Sequence, residues 1–193
     1  MCKRCDWSSS NELMIRYHDE EWGVPLHDDQ KLFEFFVLEG FQAGLSWQIV
    51  LNKRENFRLA FDHFDPNIVA KYDEKKLEEL GNDASIIRNK QKIAACVNNA
   101  QRFLEIQKEF GSFDRYIWGF VGHHPIVNAF TSLKDVPAKT ELSDKISADL
   151  KKRGFKFVGS TVIYAHMQAT GMVNDHLTSC FRYKEVLKPL NSD

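Results

Sequence analysis

The strongest constraint on the fold is a long amphipathic pattern between Asn89 and Gly111. Apolar residues recur there at intervals of four, three and four, at Ile93, Val97, Ala100 and Leu104. This spacing places their side chains on one face of an α-helix, so it predicts a single long helix that ends near Gly111. Neither a strand pattern nor an internal repeat stands out elsewhere, and the predicted fold is therefore all-α.

Capping and breaking residues divide the rest of the chain. Side chains such as that of Asp28 favour helix starts because they accept hydrogen bonds from free backbone N–H groups, and glycine favours helix ends. These signals predict helices at 12–17, 28–39, from Ser46 through Phe57, from Asp65, at 73–80 before Gly81, at 112–118, from Ser143 to Arg153 and at 158–170.

The predicted helices form a bundle over residues 28–170, with irregular segments 1–27 and 171–193 at its ends. A chain of 193 residues fits one unit, either undivided or made of two closely packed lobes.

The 26 basic and 27 acidic residues give a net charge of -1, so nucleic acid binding must depend on a local patch. No apolar run approaches the roughly 18 residues of a membrane span, and no signal peptide core follows Met1. We expect a cytosolic protein without a membrane partner.

Cysteine and histidine residues near both ends of the chain suggest a metal site. Cys5 and His18 are separated by twelve residues, and His176 and Cys180 by three, a spacing that would share one face of a helix. Two thiolates and two imidazoles suit tetrahedral zinc, and four protein ligands leave no position for a reactive water, so one structural Zn²⁺ is expected. Cys2 also forms a ligand-like pair with Cys5, and the residues alone do not decide which of the two cysteines binds the metal.

A second candidate site follows a strongly apolar helix. Glu39 follows the apolar segment 32–37 and Leu38, and the stretch between Glu39 and Trp47 contains Gly40, Gly44 and Ser46. A carboxylate at the end of a buried element is costly unless it has a use, so we expect a pocket for a flat polar ring there. The alternative is a carboxylate that caps a neighbouring helix, with Trp47 in the core.

The segment from Leu150 to Thr161 resembles a phosphate-binding hairpin between two helices. Two glycines, Gly154 and Gly159, bracket the turn, and Ser160 begins the second helix. Backbone N–H groups at a helix start attract anions, and four cations with no acid among them surround this turn: Lys151, Lys152, Arg153 and Lys156. The hairpin therefore predicts contact with a nucleic acid backbone, and the alternative is a solvated basic helix end.

Four motifs together resemble one known family. They are the segments 17–25, 38–47, 151–159 and 173–176, and the match extends from Cys5 to Cys180. The chain is similar to the 3-methyladenine DNA glycosylase I family, bacterial base-excision enzymes of the helix-hairpin-helix glycosylase superfamily. The resemblance implies that fold, zinc on Cys5, His18, His176 and Cys180 in preference to Cys2, and a base pocket of Tyr17, Glu39 and Trp47 with Trp7 and Trp22 close by.

The resemblance also implies an activity. It implies hydrolysis of the N-glycosidic bond of 3-methyladenine in alkylated double-stranded DNA, with the free base as product, by a monomer in the bacterial cytosol. Asn174 takes the place where many superfamily members keep a catalytic aspartate, and Ser160 and Thr161 take the place of the lysine of bifunctional members. Without an amine nucleophile no Schiff base can form, so a monofunctional enzyme without lyase activity is expected.

Several residues within this resemblance have open roles. The cationic lesion leaves as a neutral base, so we expect Glu39 to recognise the base by hydrogen bonding and charge attraction rather than to act as a catalytic acid, and the alternative catalytic role for Glu39 is to activate water. Leu45, with Gln42 beside it, is the candidate wedge that fills the vacated base stack, unless Leu45 lies in the core. Met14 and Phe41 depart from the family pattern, which normally has an aromatic residue and a glutamine there, and either change could alter the pocket wall or the DNA-facing edge.

The sequence is also compatible with two rival functions. One is a zinc-stabilised DNA-binding module without catalysis, and the other is a metallohydrolase. His123 and His124 are expected in a loop or at the rim of the pocket, because adjacent histidines rarely bind one ion together.

Overall fold

The computed structural model describes residues 3–187, and the chain there is mostly helical. The helices are α1 (Glu12–Glu20), α2 (Asp29–Gln42), α3 (Trp47–Asn52), α4 (Arg54–Ala60), α5 (Pro66–Val69), α6 (Glu74–Asn82), α7 (Lys90–Phe110), α8 (Phe113–Gly119), α9 (Glu141–Lys152), α10 (Ser160–Ala169) and α11 (Arg182–Glu185). Short 3-10 helices span Asp6–Ser10, Asp62–Phe64 and Leu133–Asp135. The all-α prediction is confirmed.

The long helix α7 covers the segment in which the apolar spacing predicts a helix, and it packs Ile93, Ala100 and Phe103 into the core. Asn89 caps its start, and Gly111 ends it in a left-handed conformation with a φ of 90°. The apolar helix α2 packs beside it, with the Phe33 and Phe103 ring centroids 5.1 Å apart. Each fully buried phenylalanine of this kind contributes about 1.5 to 3 kcal/mol through the hydrophobic effect. The core therefore fixes α2, which carries Glu39.

Three predicted helix boundaries are wrong for identifiable reasons. Gly81 lies inside α6 instead of ending it, since that helix continues to Asn82. The helix predicted to start at Ser143 begins earlier, because Thr140 and Ser143 form a capping box in which each side chain accepts from the other residue's backbone N–H. The single helix predicted from Ser46 through Phe57 is divided at Lys53 into α3 and α4.

A two-residue parallel strand pair also departs from the sequence prediction. Strand β1 (Ile126–Val127) pairs with β2 (Val173–Asn174) in the register Ile126 to Val173. The pair is too short to produce a pattern in the sequence, since a half-buried strand is recognised by alternation over several residues. It brings the loop after α8 against the segment after α10, and that contact shapes the functional site.

The two ends of the described chain meet. The backbone N–H of Phe181 donates to the carbonyl oxygen of Lys3 at 3.0 Å, and Cys5, Leu177 and Cys180 form a small buried cluster. Among residues 3–187, no helix combines the length and apolarity needed to cross a membrane.

Candidate functional site

A cavity of about 350 Å³ lies between α2, α10 and the N-terminal segment. This volume is within the usual range of small-molecule sites. The five side chains predicted to hold a base all contribute to its wall, which consists of Trp7, Met14, Tyr17, Trp22, Glu39, Gln42, Trp47, Leu133, Val136, Pro137, Ala165, Gln168 and Asp175. The structure thus brings together residues that are far apart in the chain.

Aromatic rings form much of this wall. The Tyr17 and Trp47 ring centroids lie 5.3 Å apart at an interplanar angle of 44°, and Trp7 meets Trp22 edge to face at 5.0 Å. Such tilted contacts leave ring faces available to a planar ligand, whose stacking would add to the burial of its surface. The cavity therefore favours a flat ring system.

Glu39 is buried in the last turn of α2, which continues three residues beyond the predicted helix end at Glu39. The residue is only 4% exposed, and Oε2 of its side chain has no hydrogen-bond partner within residues 3–187. Burial raises the pKa of Glu39 to about 8, because a carboxylate loses its hydration in this environment. The carboxyl group is therefore mostly protonated at neutral pH, so the expected attraction for a cationic base is weak in the empty pocket.

Trp47 provides the complementary polar group. Its Nε1 is buried and, in the described part of the chain, has no acceptor. A buried polar group without a partner is costly, so its presence in a cavity wall points to a ligand that supplies the missing bond. Glu39 Oε2 and Trp47 Nε1 together offer two unused hydrogen-bonding atoms to an occupant of the cavity.

Asp175 is a wall residue that the sequence reasoning did not select. It is 1% exposed, and its carboxylate accepts from Asn128 Nδ2 at 2.7 Å, Tyr164 Oη at 2.7 Å and Gln168 Nε2 at 2.8 Å. Asn174, the residue expected at the aspartate position, is used elsewhere, since its Nδ2 donates to the Tyr183 carbonyl oxygen. Only the adjacency of Asp175 to the predicted ligand His176 could have drawn attention to it.

The four predicted zinc ligands converge in a buried cluster. One candidate ligand atom from each of Cys5, His18, His176 and Cys180 lies within 4.8 Å of the other three. His18 Nε2 is 3.5 Å and His176 Nδ1 is 3.7 Å from Cys180 Sγ. Zinc bonds of ordinary length in tetrahedral geometry require sulfur–nitrogen separations of roughly 3.6 Å, so this donor set fits the ion.

The outer nitrogens of both histidines are held by further hydrogen bonds. His18 Nδ1 contacts Asp19 Oδ1 at 2.7 Å, and His176 Nε2 contacts the Trp22 carbonyl oxygen at 2.9 Å. Both acceptors select the tautomer whose other nitrogen is free to bind a metal. Burial alone would raise the pKa of Asp19, but hydrogen bonds from Arg4 and His18 outweigh it and lower that pKa.

The thiols also suit a metal. A hydrogen bond from the Cys5 thiol is the largest influence on Cys180 and lowers the pKa of Cys180, while the same contact and burial raise the pKa of Cys5. The thiolate, which is the form that binds zinc, is therefore favoured at Cys180. His176 and Cys180 do not lie on a helix as their spacing suggested, because this segment is irregular and a turn brings them together. Cys2, the alternative ligand, lies outside the described residues.

The hairpin between α9 and α10 has the predicted glycine geometry. Gly154 has a φ of 90°, which suits glycine, and an added Cβ at Gly159 would meet open space. Gly159 is the N-cap of α10 and provides no side-chain cap for the first N–H groups of that helix. Asn99 stabilises the turn, since it accepts from the Lys156 backbone N–H and donates to the Lys156 carbonyl oxygen. Ser160 Oγ lies 2.7 Å from Ser143 Oγ.

The four cations of the hairpin are not equivalent. Lys151, Lys152 and Lys156 are exposed. Arg153 instead bridges Asp149 at 2.8 Å and Glu109 at 2.7 Å, and its guanidinium also lies over the Phe110 and Tyr116 rings. The Arg153 side chain is therefore committed to packing within the protein.

The segment after α2 forms a protruding turn at the cavity. Leu45 is 39% exposed, so the alternative that places it in the core is wrong. Gly44 supplies the positive φ of 85° that this turn requires, and Gln42 lies in the cavity wall.

Of the two residues that depart from the family pattern, Met14 lines the cavity, whereas Phe41 is buried against Phe57 in the main core. His123 and His124 are exposed and are not among the wall residues of this cavity.

Comparisons with known proteins point to one family. A family model described as methyladenine glycosylase matches residues 7–183. The chain is 50% identical to DNA-3-methyladenine glycosylase 1 of Escherichia coli (strain K12), over 94% of this chain and 97% of that protein. A solved 3-methyladenine DNA glycosylase I matches with a TM-score of 0.90 and 49% identity, over 93% of this chain and 98% of that one. The Staphylococcus aureus 3-methyladenine DNA glycosylase I, studied for its recognition of 3-methyladenine, gives a TM-score of 0.89 and 33% identity, over 92% and 94% of the two chains.

Proposed function

The chain belongs to the methyladenine glycosylase family, and on that premise we infer that it is a DNA-3-methyladenine glycosylase that hydrolyses the N-glycosidic bond of 3-methyladenine in alkylated DNA. It is a base-excision repair enzyme with the helix-hairpin-helix glycosylase fold. One structural observation supports this function most strongly. The aromatic cavity holds a buried acceptor and a buried donor that lack partners in the described chain, as a base-binding site would before its ligand enters.

We propose that the base enters this cavity after leaving the DNA stack, with Tyr17 and Trp47 beside its ring. Glu39 Oε2 accepts from the exocyclic amine, and Trp47 Nε1 donates to a ring nitrogen. Each such bond contributes about 0.5 to 1.5 kcal/mol, and leaving the buried atom unpaired costs more, so a base lacking the matching group is rejected. Trp7 and Trp22 extend the aromatic wall.

The protonation state of Glu39 gives the pocket a preference for the departing base. The lesion is cationic in DNA, and it becomes neutral when the glycosidic bond breaks and the bonding electron pair stays on the base. A dry pocket with a protonated Glu39 suits the neutral product better than the cation. An interaction that improves as the bond breaks lowers the barrier to that step, which is the requirement for catalysis by binding.

The DNA contacts follow from the exposed features beside the cavity. The N-terminus of α10, at Gly159 and Ser160, binds a backbone phosphate, with Lys151, Lys152 and Lys156 around it and Gly154 allowing the turn. Arg153 supports the hairpin from within. Leu45 enters the duplex at the position that the extruded nucleotide leaves, with Gln42 between it and the cavity.

Zinc is the metal that the clustered donors fit, and its role is structural. Cys5, His18, His176 and Cys180 would hold the ion, which then ties segment 1–27 to segment 171–193 beside the helical bundle of residues 28–170 with its hairpin at 150–161. A closed set of four ligands would supply folding energy and would leave no coordination position for substrate. This arrangement argues against the metallohydrolase alternative.

The enzyme is proposed to be monofunctional and to act as a monomer in the bacterial cytosol. Ser160 and Thr161 provide hydroxyl groups at the start of α10, in the place where bifunctional members of the superfamily have the lysine that forms a Schiff base. Hydrolysis should therefore leave an abasic site in an unbroken strand.

The direct test is incubation of the protein with methylated duplex DNA. Chromatography of the released purines should show 3-methyladenine, and the strands should stay intact until alkali cleaves the abasic sites. A binding module without catalysis would release no base, and strand cleavage with a borohydride-trapped adduct would contradict the monofunctional assignment.

A further inference from the structure

The cavity contains a second carboxylate, in an environment opposite to that of Glu39. Glu39 Oε2 has no donor within the described residues, whereas the Asp175 carboxylate accepts three side-chain hydrogen bonds. Three converging donors hold the Asp175 carboxyl group in one orientation, whereas Glu39 Oε2 is left to bond an occupant of the cavity. The two groups come from different elements, Glu39 from α2 and Asp175 from the segment after β2, and both belong to the wall of one cavity.

The arrangement of these donors holds Asp175 in place. Tyr164 and Gln168 lie one turn apart on α10 and both donate to Oδ2. Asn128, delivered by the β1 and β2 pair, donates to Oδ1, which leaves Oδ1 with spare acceptor capacity. Hydrogen bonds from three side chains therefore fix the position of this carboxyl group in the wall of the cavity.

Cleavage of the lesion moves positive charge from the base to the sugar. The base starts as a cation and leaves neutral, while C1′ and the ring oxygen of the deoxyribose acquire the charge. A neutral group near the base and a fixed anion near the sugar would match that redistribution. Preorganised charges aimed at developing charge are among the largest contributions to enzyme catalysis.

We propose that Asp175 is a catalytic residue of this glycosylase, whose carboxylate stabilises the positively charged sugar and holds the water that attacks it. The proposal rests on the glycosylase function inferred above. Asn174 is unsuited to this role because its side chain is bonded to the Tyr183 carbonyl oxygen and the His176 N–H.

The reaction balances without another reactant. The bond from C1′ to the base breaks, and its electron pair neutralises the 3-methyladenine cation. The oxygen of one water molecule, held by Asp175 Oδ1, forms a bond to C1′, and the proton that it loses leaves to solvent. The products are free 3-methyladenine, an abasic deoxyribose with a hydroxyl at C1′, and one proton.

The first experiment compares the wild-type protein with Asp175→Asn in single-turnover excision from methylated duplex DNA at saturating enzyme. The variant removes the charge and keeps the volume, and its three partners, a hydroxyl and two amides, can each rotate to satisfy the new amide. We expect the excision rate to fall by about a hundredfold or more, the size of effect seen when one stabilising group is removed from a preorganised site. The affinity for free 3-methyladenine should change by no more than about threefold, since that ligand lacks the sugar.

Asp135→Asn is the matched control, because it removes an exposed carboxylate from the 3-10 helix that reaches the cavity wall at Leu133. Its excision rate should stay within about threefold of the wild type. An Asp175→Asn protein that binds 3-methyladenine and excises at the wild-type rate would overturn the proposal. Absence of 3-methyladenine release by the wild-type protein would instead reject the glycosylase function itself, so the two failures are distinguishable.

A second variant distinguishes loss of the carboxylate from loss of folding. Asp175→Ala leaves space for a small carboxylate, and added formate should restore a measurable part of the lost excision rate, whereas formamide should not. An equal response to formate and formamide, or none to either in a protein that binds 3-methyladenine, would assign Asp175 a purely structural role.

Discussion

His18 Nε2 lies 3.5 Å from Cys180 Sγ, although 162 positions separate the two residues in the chain. The contact fastens the N-terminal segment to the segment after α10, and both segments supply walls of the base cavity: Trp7, Tyr17 and Trp22 from the first, and Asp175 from the second. The stability of the metal cluster and the shape of the cavity are therefore linked.

Removal of the metal should loosen the whole site. We expect chelation, or the variant Cys180→Ser, to abolish stoichiometric zinc and to lower the thermal midpoint, because bound metal stabilises only the folded chain. Thermal denaturation and metal analysis measure both effects. The matched control is Cys96→Ser, a buried cysteine outside the cluster, which should retain one zinc per chain. A Cys180→Ser protein with full zinc content would contradict the assigned ligand set.

Glu39 should make the protein less stable as the pH rises. Its folded-state pKa of about 8 lies above the ordinary value of 4.5, so the stability that the protonated group contributes is complete below pH 4.5 and is lost as the pH passes through 8. The full shift corresponds to about 4 to 5 kcal/mol as an upper figure. Urea unfolding of the wild type and of Glu39→Gln, at several pH values, should show the variant gaining relative stability over this window. Parallel pH dependences would show that Glu39 is not the buried titrating group.

The hairpin cations should separate into two classes. Lys156→Ala should weaken binding to any duplex sequence and reduce the slope of log affinity against log salt by about one, since it removes one phosphate contact. Arg153→Ala should chiefly lower the free energy of unfolding, because its guanidinium bridges Asp149 and Glu109 and packs on Tyr116. DNA titrations across salt concentrations and urea unfolding distinguish these effects. A larger loss of salt dependence in Arg153→Ala would reverse the assignment.

Leu45 should affect DNA and leave folding unchanged. It is 39% exposed on the turn after α2, so Leu45→Ala should shift the free energy of unfolding by less than about 0.5 kcal/mol. We expect weaker binding to abasic duplex and slower excision, because nothing then fills the gap in the base stack. Excision of 3-methyladenine from single strands serves as a control in which no stack needs filling. Unchanged abasic affinity together with an unchanged duplex excision rate would remove Leu45 as the wedge.

Local patterns in the sequence predicted the parts of the structure that depend on local physics. The apolar spacing of α7 and its end at Gly111 were predictable because helix periodicity and glycine conformation act within a few residues. The residues of the buried Cys/His cluster were candidate metal ligands by residue type, although the family resemblance was needed to prefer Cys5 over Cys2 and the turn that joins His176 to Cys180 was not predicted.

Features that depend on contacts between distant segments could not be predicted. Asp175 reaches the cavity wall through the two-residue pairing of β1 with β2, which leaves no pattern in either segment. Arg153 was counted with the hairpin cations because its partners Glu109 and Asp149 become visible only after the helices pack. The raised pKa of Glu39 likewise reflects burial by side chains from other elements, and for this reason we propose that the group favours the neutral base instead of attracting a cation.

The profile of bases released from methylated duplex DNA tests the central claim most directly. The wild-type protein should release 3-methyladenine, with 3-methylguanine and 7-methylguanine measured in the same chromatogram to define its range. Loss of the 3-methyladenine peak in Trp47→Ala, with duplex binding retained, would tie the release to the aromatic cavity. Absence of all three bases from the wild-type reaction would contradict the account.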